Sequence, residues 1–263
     1  MHALAVSREE RATCRERLAD VQRDAQRARA RAHLIYMIDL FTWATPNGYK
    51  ISIALEEVGL PYTAHLVDIG RGAQFAPEFL AISPNNKIPA ITDRDGPGGR
   101  PLSLFESAAI LLYLADKTGK LMPADAAQRW TAIQWLAFQV AHVGPMLGQL
   151  GHFRNYAKDK LPYAIERYTN EVGRLYGVLD KRLATVEYLA GEYSVADIAV
   201  YPWLRAPDAY GIELAKYPNV ARWRSAVAER PAVKRGLAVP PRVDRPMDDH
   251  AREILFGSKQ YAR

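Results

Sequence analysis

Ser83-Pro84-Asn85-Asn86-Lys87-Ile88-Pro89-Ala90-Ile91 sets a polar turn against a short apolar run, with Ile88-Pro89 at the join. The residue before a proline is pushed toward an extended backbone, so Ile88 turns its N–H and C=O sideways. An unpaired extended edge is a template for another extended peptide. Pro89 cannot carry a ladder past itself, which limits the exposed pair of groups to Ile88. One peptide unit of a small ligand fits such an edge. The plainer alternative is that Pro84 and Pro89 only punctuate a loop ahead of a strand.

On the N-terminal side of this stretch, Ile38-Asp39-Leu40-Phe41 alternates as a strand. Thr45-Pro46-Asn47-Gly48 follows, and then Ile51, Ala54, Leu55 and Val58 fall at i, i+3, i+4 and i+7, an amphipathic helix that Gly59 and Pro61 stop. Tyr62 to Val67 reads as a second strand, completing a β–α–β unit with parallel strands. Gly70-Arg71-Gly72-Ala73-Gln74-Phe75 is a loop, and Pro77-Glu78-Phe79-Leu80 begins a short helix. On the C-terminal side, Ala90-Ile91-Thr92 and Leu102-Ser103-Leu104 pair as a hairpin around Gly96-Pro97-Gly98-Gly99, and Glu106-Ser107 opens a helix closed by Gly119. The order β–α–β–α–β–β–α over residues 37–119 is that of a thioredoxin-like domain, an α/β unit. After a linker at 120–124 the strand signals vanish, and residues 125–235 read as an all-α domain with aromatic stripes that include Trp130, Trp135, Phe138, Tyr168, Tyr176 and Trp223. Gly144-Pro145 is expected to kink the first long helix. Ser194-Val195-Ala196-Asp197 has the form of a structural capping box. The tail, 236–263, is Pro-rich and charged until Ile254-Leu255-Phe256, and is expected to wrap the surface or a partner subunit.

Composition narrows the function. Hydrophobic residues make up 49% and charged residues 24% of the 263, ordinary for a globular protein. No window approaches the length of apolar sequence that spans a bilayer, and no secretory signal is present. The net charge of +6 raises the question of nucleic acid, but residues 1–36 carry eight Arg against five acids, and most of the remaining excess lies in the tail. The body between is nearly neutral, which argues against a nucleic-acid groove. The single cysteine, Cys14, lies in the charged N-terminal stretch, so disulfide frameworks, CxxC motifs and zinc clusters are excluded, and no metal is expected. Any thiol chemistry must use a thiol that arrives with a ligand. Met37 opens a very different text from the Arg- and Ala-rich residues 1–36, which read as a solvated helix or a disordered arm; Met37 is the expected natural start. A mitochondrial transit peptide is the alternative, and the five acids count against it.

A thioredoxin-like domain followed by an all-helical one, with Ile-Pro before the third strand and Glu-Ser opening the next helix, resembles a cytosolic glutathione transferase. Six motifs in order are similar to the bacterial Nu-class: Thr45-Pro46-Asn47-Gly48, Gly72-Ala73-Gln74-Phe75, Ile82 to Ile91, Leu102-Ser103-Leu104-Phe105-Glu106-Ser107, Gly144-Pro145-Met146-Leu147-Gly148-Gln149 and Pro162-Tyr163-Ala164-Ile165-Glu166-Arg167-Tyr168. The likeness spans Met37 to about Leu237. It implies glutathione as co-substrate, with Ile88 as antiparallel backbone partner of the cysteinyl unit and Pro89 in a cis bond. Ser107, at a helix N-terminus, would take the γ-glutamyl carboxylate and Glu106 the ammonium. Gln74 and Lys87 would hold the glycyl end, with Arg167 a further carboxylate donor from its own or a partner subunit. Thr45 and Asn47 would stabilise the thiolate at the helix end, although both also read simply as helix caps, and the two roles are compatible.

The resemblance departs from tyrosine-, serine- and cysteine-type relatives, because none of those residues occupies the Thr45 position. It implies a cytoplasmic homodimer in which bound glutathione, without a protein cysteine, reduces a disulfide or a peroxide. The alternatives are conjugation of a hydrophobic electrophile and a non-catalytic glutathione-binding regulator. Met146, His152, Phe153 and Tyr156 are expected to form an apolar wall for the second substrate, or else plain core.

Overall fold

The computed structural model describes residues 38–241 and 247–260; the arm at 1–36, Cys14 and Met37 lie outside them. Strands β1 (Ile38–Thr42) and β2 (Tyr62–Leu66) run parallel with Ile38 opposite Tyr62, joined through helix α1 (Pro46–Val58). With β3 (Ala90–Asp93) and β4 (Leu102–Phe105) they form one sheet in the order β2-β1-β3-β4. Two further helices complete this half, the short α2 (Pro77–Leu80) and α3 (Ser107–Thr118). Gly59 ends α1 in the left-handed region at φ 75° and turns its N–H onto Leu55 O at 2.9 Å, so the predicted stop is a glycine C-cap.

The helical half contains α4 (Ala126–Phe138), α5 (Gly144–Gly151), α6 (Pro162–Leu183), α7 (Val195–Leu204), α8 (Pro218–Glu229), α9 (Pro231–Ala238) and the tail helix α10 (Asp249–Phe256). Helix α1 packs on α3 and also on α7 and α9. That double packing explains why Ile51, Ile53, Ala54 and Leu55 are all fully buried, a wider apolar surface than the single stripe the spacing predicts. Sheet residues Ile38, Leu40 and Ile91 share one core cluster with Tyr176 and Trp223 of the helical half.

By compactness the described residues from Ile38 to Thr92 and from Ser103 onward form one unit. The described part of the second is the hairpin tip at 93–102, where Asp93 Oδ1 accepts the Asp95 N–H at 2.9 Å.

Three expectations of the helical half are refined. The break near Gly144-Pro145 is a π turn at Gln139–Val143, in which the Gly144 N–H reaches back to Gln139 O. The wider turn brings the chain to Pro145 without demanding an N–H from the proline ring. Of the residues named in the aromatic stripes, Trp130 is 69% exposed, whereas Tyr176 and Trp223 are fully buried. The capping box is present and does more than cap. Asp197 accepts the Ser194 N–H at 3.0 Å, the Leu189 N–H at 3.0 Å and Trp223 Nε1 at 2.8 Å, so the same carboxylate fastens α8 to α7.

Candidate functional site

The first turn of α1 forms where β1 has just ended. Thr45 is its N-cap, with extended φ and ψ, and its Oγ1 accepts the Gly48 N–H at 3.2 Å. That bond uses a lone pair, and the hydroxyl hydrogen remains available to an incoming acceptor. Pro46 brings no N–H, which leaves the Asn47 N–H as the first-turn donor without a partner among the described residues. The Asn47 side chain is fixed from the other half of the molecule. Trp203 on α7 donates its Nε1 hydrogen to Asn47 Oδ1 at 3.2 Å. Because an indole can only donate, the carbonyl end of the amide is the end it holds, and the NH2 end is free to donate elsewhere. A hydroxyl, an amide and a backbone N–H therefore stand together at a helix N-terminus, all donors and all suited to an anion.

Three connected hollows meet at this point. A slot of about 190 Å³ is lined by Thr45, Asn47, Gln74, Lys87, Ile88 and Trp203. A second, of about 250 Å³, is lined by Asn47, Asn85, Lys87, Ile88, Pro89, Glu106 and Ser107. A larger chamber of about 410 Å³ opens from Thr45 and is walled by Trp43, Tyr156, Trp203, Tyr210, Leu255 and Phe256. The Ile88-Pro89 bond is cis, and Ile88 stands just ahead of β3, outside the ladder. Glu106 sits at φ 69°, a region a residue with a Cβ occupies at a cost of about 1–3 kcal/mol. The turn places Glu106 beside Ser107, the first residue of α3, and Asn85 Nδ2 donates to the Glu106 carboxylate at 3.3 Å.

A peptide ligand fits these groups. Gln74 is 3% exposed and donates its Nε2 hydrogen to Ile69 O at 3.1 Å, which leaves Oε1 buried without a hydrogen-bond partner. A buried orphan acceptor is costly, and an amide N–H from a ligand in the slot would satisfy it. Among the described residues no group of three or more His, Cys, Asp and Glu could hold a metal ion, and no helix is long and apolar enough to cross a membrane.

Eight of the residues singled out from the sequence line the two slots: Thr45, Asn47, Gln74, Lys87, Ile88, Pro89, Glu106 and Ser107. Of the expected apolar wall, Tyr156 alone faces the large chamber. His152 and Phe153 line an adjoining hollow beside Phe256, and Met146 lines a groove with Arg167, Tyr163 and Arg174. Met146 and Phe153 are seven residues apart, two helical turns, so they share the face turned toward α6, where Phe153 stacks on Tyr168 at 5.7 Å. Leu147, Gly148 and Gly151 line the chamber in their place. Arg167 itself, on α6, lines neither slot of its own chain.

Four contributors escaped the sequence reading. Trp203 reaches Asn47 across 156 residues, and nothing local announces it. Tyr210 borders the chamber with its phenol pushed up to about 12, chiefly by burial and then by Tyr156, so it stays protonated and keeps a hydrogen to donate. Helix α10 roofs the chamber through Ala251, Leu255 and Phe256, and its N-cap Asp248 pairs with Arg71 at 3.1 Å. Lys50 lies beneath Ser107, 2% exposed. A signal for Lys50 existed: Lys50, Ala54 and Val58 are spaced by four on the buried face of α1.

A profile of the glutathione S-transferase N-terminal domain matches residues 45–117, and one of the C-terminal domain matches residues 152–231. The chain is 54% identical over 203 residues to the disulfide-bond oxidoreductase YfcG of Escherichia coli, covering 76% of this chain and 94% of the relative. A glutathione transferase of Pseudomonas putida solved with one glutathione disulfide bound per subunit is 47% identical, with a TM-score of 0.75 over 78% of this chain and 92% of that one. A family member from Pseudomonas fluorescens solved with two glutathiones bound is 50% identical, with a TM-score of 0.73 over 77% and 92%.

Proposed function

The chain belongs to the glutathione S-transferase family, and from that premise we propose that it is a Nu-class-type, glutathione-dependent reductase of disulfides and peroxides. The observation that carries this reading is the donor cluster of Thr45, Asn47 and the α1 N-terminus, beside slots shaped for an extended peptide. A free thiol ionises near pH 8.5, and the thiolate is the nucleophile. Lowering that value by about two units takes roughly 2.7 kcal/mol of preferential thiolate stabilisation, within reach of two side-chain donors and a helix end.

The chemistry needs no protein sulfur. The thiolate of one glutathione attacks a disulfide sulfur, the other sulfur leaves as a thiolate that takes up a proton, and a mixed disulfide remains. A second glutathione thiolate attacks the glutathione sulfur of that mixed disulfide, releasing the second substrate thiol and glutathione disulfide. Ile88 would hold the cysteinyl backbone, Ser107 and Glu106 the γ-glutamyl end, and Gln74 and Lys87 the glycyl end. The large chamber, beginning at Thr45, would take the second glutathione or the disulfide. Its aromatic walls favour a secondary activity, conjugation of a hydrophobic electrophile. A homodimer is part of the reading: Tyr163 and Trp130 are strongly exposed, and a partner subunit is the route by which Arg167 would meet glutathione, since it stands away from its own chain's slots. A cytoplasmic location completes the reading, since the reduced glutathione it consumes is kept there.

The test is turnover of 2-hydroxyethyl disulfide with glutathione, coupled to glutathione reductase, beside conjugation of a chloro-nitroaromatic by the same preparation. Disulfide reduction is expected to be much the faster. Conjugation alone would overturn the reductase, and binding of glutathione with neither turnover would make the chain a regulator. Trp203→Phe refines the assignment: without the indole N–H, the Asn47 amide is free to rotate its NH2 away, and kcat is expected to fall about tenfold with little change in glutathione KM. Steady-state kinetics decide it, an unchanged kcat removing Trp203 from the account.

A further inference from the structure

Lys50 is a buried cation with no anion at ion-pair distance among the described residues. It is 2% exposed, and its Nζ donates to Gln139 Oε1 at 2.7 Å and to Ser107 Oγ at 3.2 Å. Both partners are neutral. Gln139 comes from the π turn of the helical half and is 1% exposed, and its amide is packed against Gly144, where even a Cβ would lie 2.8 Å from Gln139 Nε2. The side chain thus bridges the two halves at a fixed place under the second slot. A buried ammonium without a counter-ion is expensive. Burial holds the Lys50 pKa down to about 7, opposed by the charge of Glu106. Of the elements packed on α1 at this point, α3 presents Ser107 and its N-cap Glu106, the π turn presents Gln139, and α7 presents Trp203 to the neighbouring Asn47.

We propose that Lys50 is the positioning residue of the γ-glutamyl site, a concealed counter-ion that acts on the ligand's α-carboxylate through the Ser107 hydroxyl. This rests on the reading that Ser107 receives that carboxylate. A serine hydroxyl has one hydrogen and two lone pairs. When the Lys50 ammonium donates to Oγ, the single hydrogen is left for the ligand, and the bond it makes is strengthened by the charge behind it. The carboxylate in turn supplies the missing anion and favours the charged form of Lys50. Binding of the γ-glutamyl group and protonation of Lys50 are therefore linked, and glutathione draws a proton into the protein when the pH lies above the value Lys50 has in the free enzyme.

The test is isothermal titration of the full chain with S-methylglutathione, whose blocked sulfur cannot release a proton, in two buffers of different ionisation enthalpy at pH about 8. The comparison ligand is the same thioether with γ-aminobutyryl in place of γ-glutamyl, which keeps the amine and lacks the α-carboxylate. The wild type is expected to take up about half a proton more, or greater, with the first ligand than with the second. Lys50→Met is expected to bind S-methylglutathione about tenfold more weakly, lose the extra uptake, and bind the carboxylate-free ligand as the wild type does. A merely structural lysine would weaken both ligands alike, and that result, or equal proton uptake with the two ligands in the wild type, overturns the proposal. If Lys50→Met does not fold, the two-ligand comparison on the wild type decides alone. Failure of the folded wild type to bind S-methylglutathione at all would sink the glutathione reading itself, and this inference with it.

Discussion

Thr45→Ala with Asn47→Ala is expected to cut disulfide turnover by about a thousandfold while glutathione still binds, because on the proposed reading the pair supplies donors to the sulfur rather than to the peptide. The substitutions leave in place the backbone contact proposed at Ile88 and the charged contacts proposed at Glu106 and Ser107. What is lost is the Thr45 hydroxyl hydrogen and the Asn47 NH2, the two donors left over once Gly48 and Trp203 have been served. Removing one such donor from an oxyanion site typically costs about a hundred- to a thousandfold in rate. The two share one sulfur, so their effects will not simply multiply.

The expected signature is a fall in kcat with glutathione affinity changed only slightly, together with a bound-thiol pKa returned toward 8.5, read from thiolate absorbance against pH. Losing the Thr45 cap costs about 1 kcal/mol of stability, and Thr45→Ser, which keeps both cap and hydroxyl, controls for that. A double variant with ordinary turnover would mean that Thr45 and Asn47 only cap α1.

The second large effect belongs to Gly48→Ala. A Cβ there would stand 2.1 Å from Trp43 O and 2.6 Å from Thr42 Oγ1, and the first of these is backbone, which cannot swing aside. Gly48 also donates the hydrogen bond that orients Thr45. The substitution must either push β1 and α1 apart or unwind the first turn, and destabilisation of about 3 kcal/mol or more is expected. For a chain of this size that is a fall in Tm of roughly 10 °C, with turnover lost even below the transition. Gly177→Ala is the matched control, since nothing lies within 4 Å of its Cβ and it sits inside α6; it should be neutral or stabilising, by up to about 1 kcal/mol. Thermal unfolding of the two variants side by side makes the check, and a Gly48→Ala protein as stable as wild type would show that the packing of Gly48 against Trp43 is not tight.

What the sequence made legible was what is local. Period and punctuation were enough for β1, α1 and its Gly59 cap, and Thr45 declared itself as a cap because threonine before proline at a helix start is a short-range signal. Of the slot residues, Ile88-Pro89 carried a local signal of its own, whereas Gln74, Lys87, Glu106 and Ser107 were singled out through the resemblance. Contacts between distant segments were not legible. Trp203 looks like one more apolar residue of α7, and its role depends on where Asn47 lies across the molecule. Met146 and Phe153 misled because apolar residues on a long helix do not say which of its neighbours they face; two glycines, 148 and 151, turned out to mark the chamber side by leaving room there. Trp130 belongs to the aromatic stripes by sequence, and its exposure shows that an aromatic residue in a helical stretch does not fix an inward face.

The walls around Thr45 contain hydroxyl, amide, aromatic and aliphatic groups but no cysteine, and residues 38–263 of the sequence contain none. Enzymes that reduce peroxides or disulfides with their own thiol carry the risk in their own chain, because a sulfenic acid left unresolved climbs to the sulfinic and sulfonic states and the catalyst is spent. On the proposed mechanism, the sulfur that would be over-oxidised belongs to a diffusible tripeptide. It leaves with the ligand, and the next molecule brings a fresh one. A burst of oxidant would thus consume the glutathione pool before it consumed the protein, and the chain would need no repair partner, only the restoration of that pool.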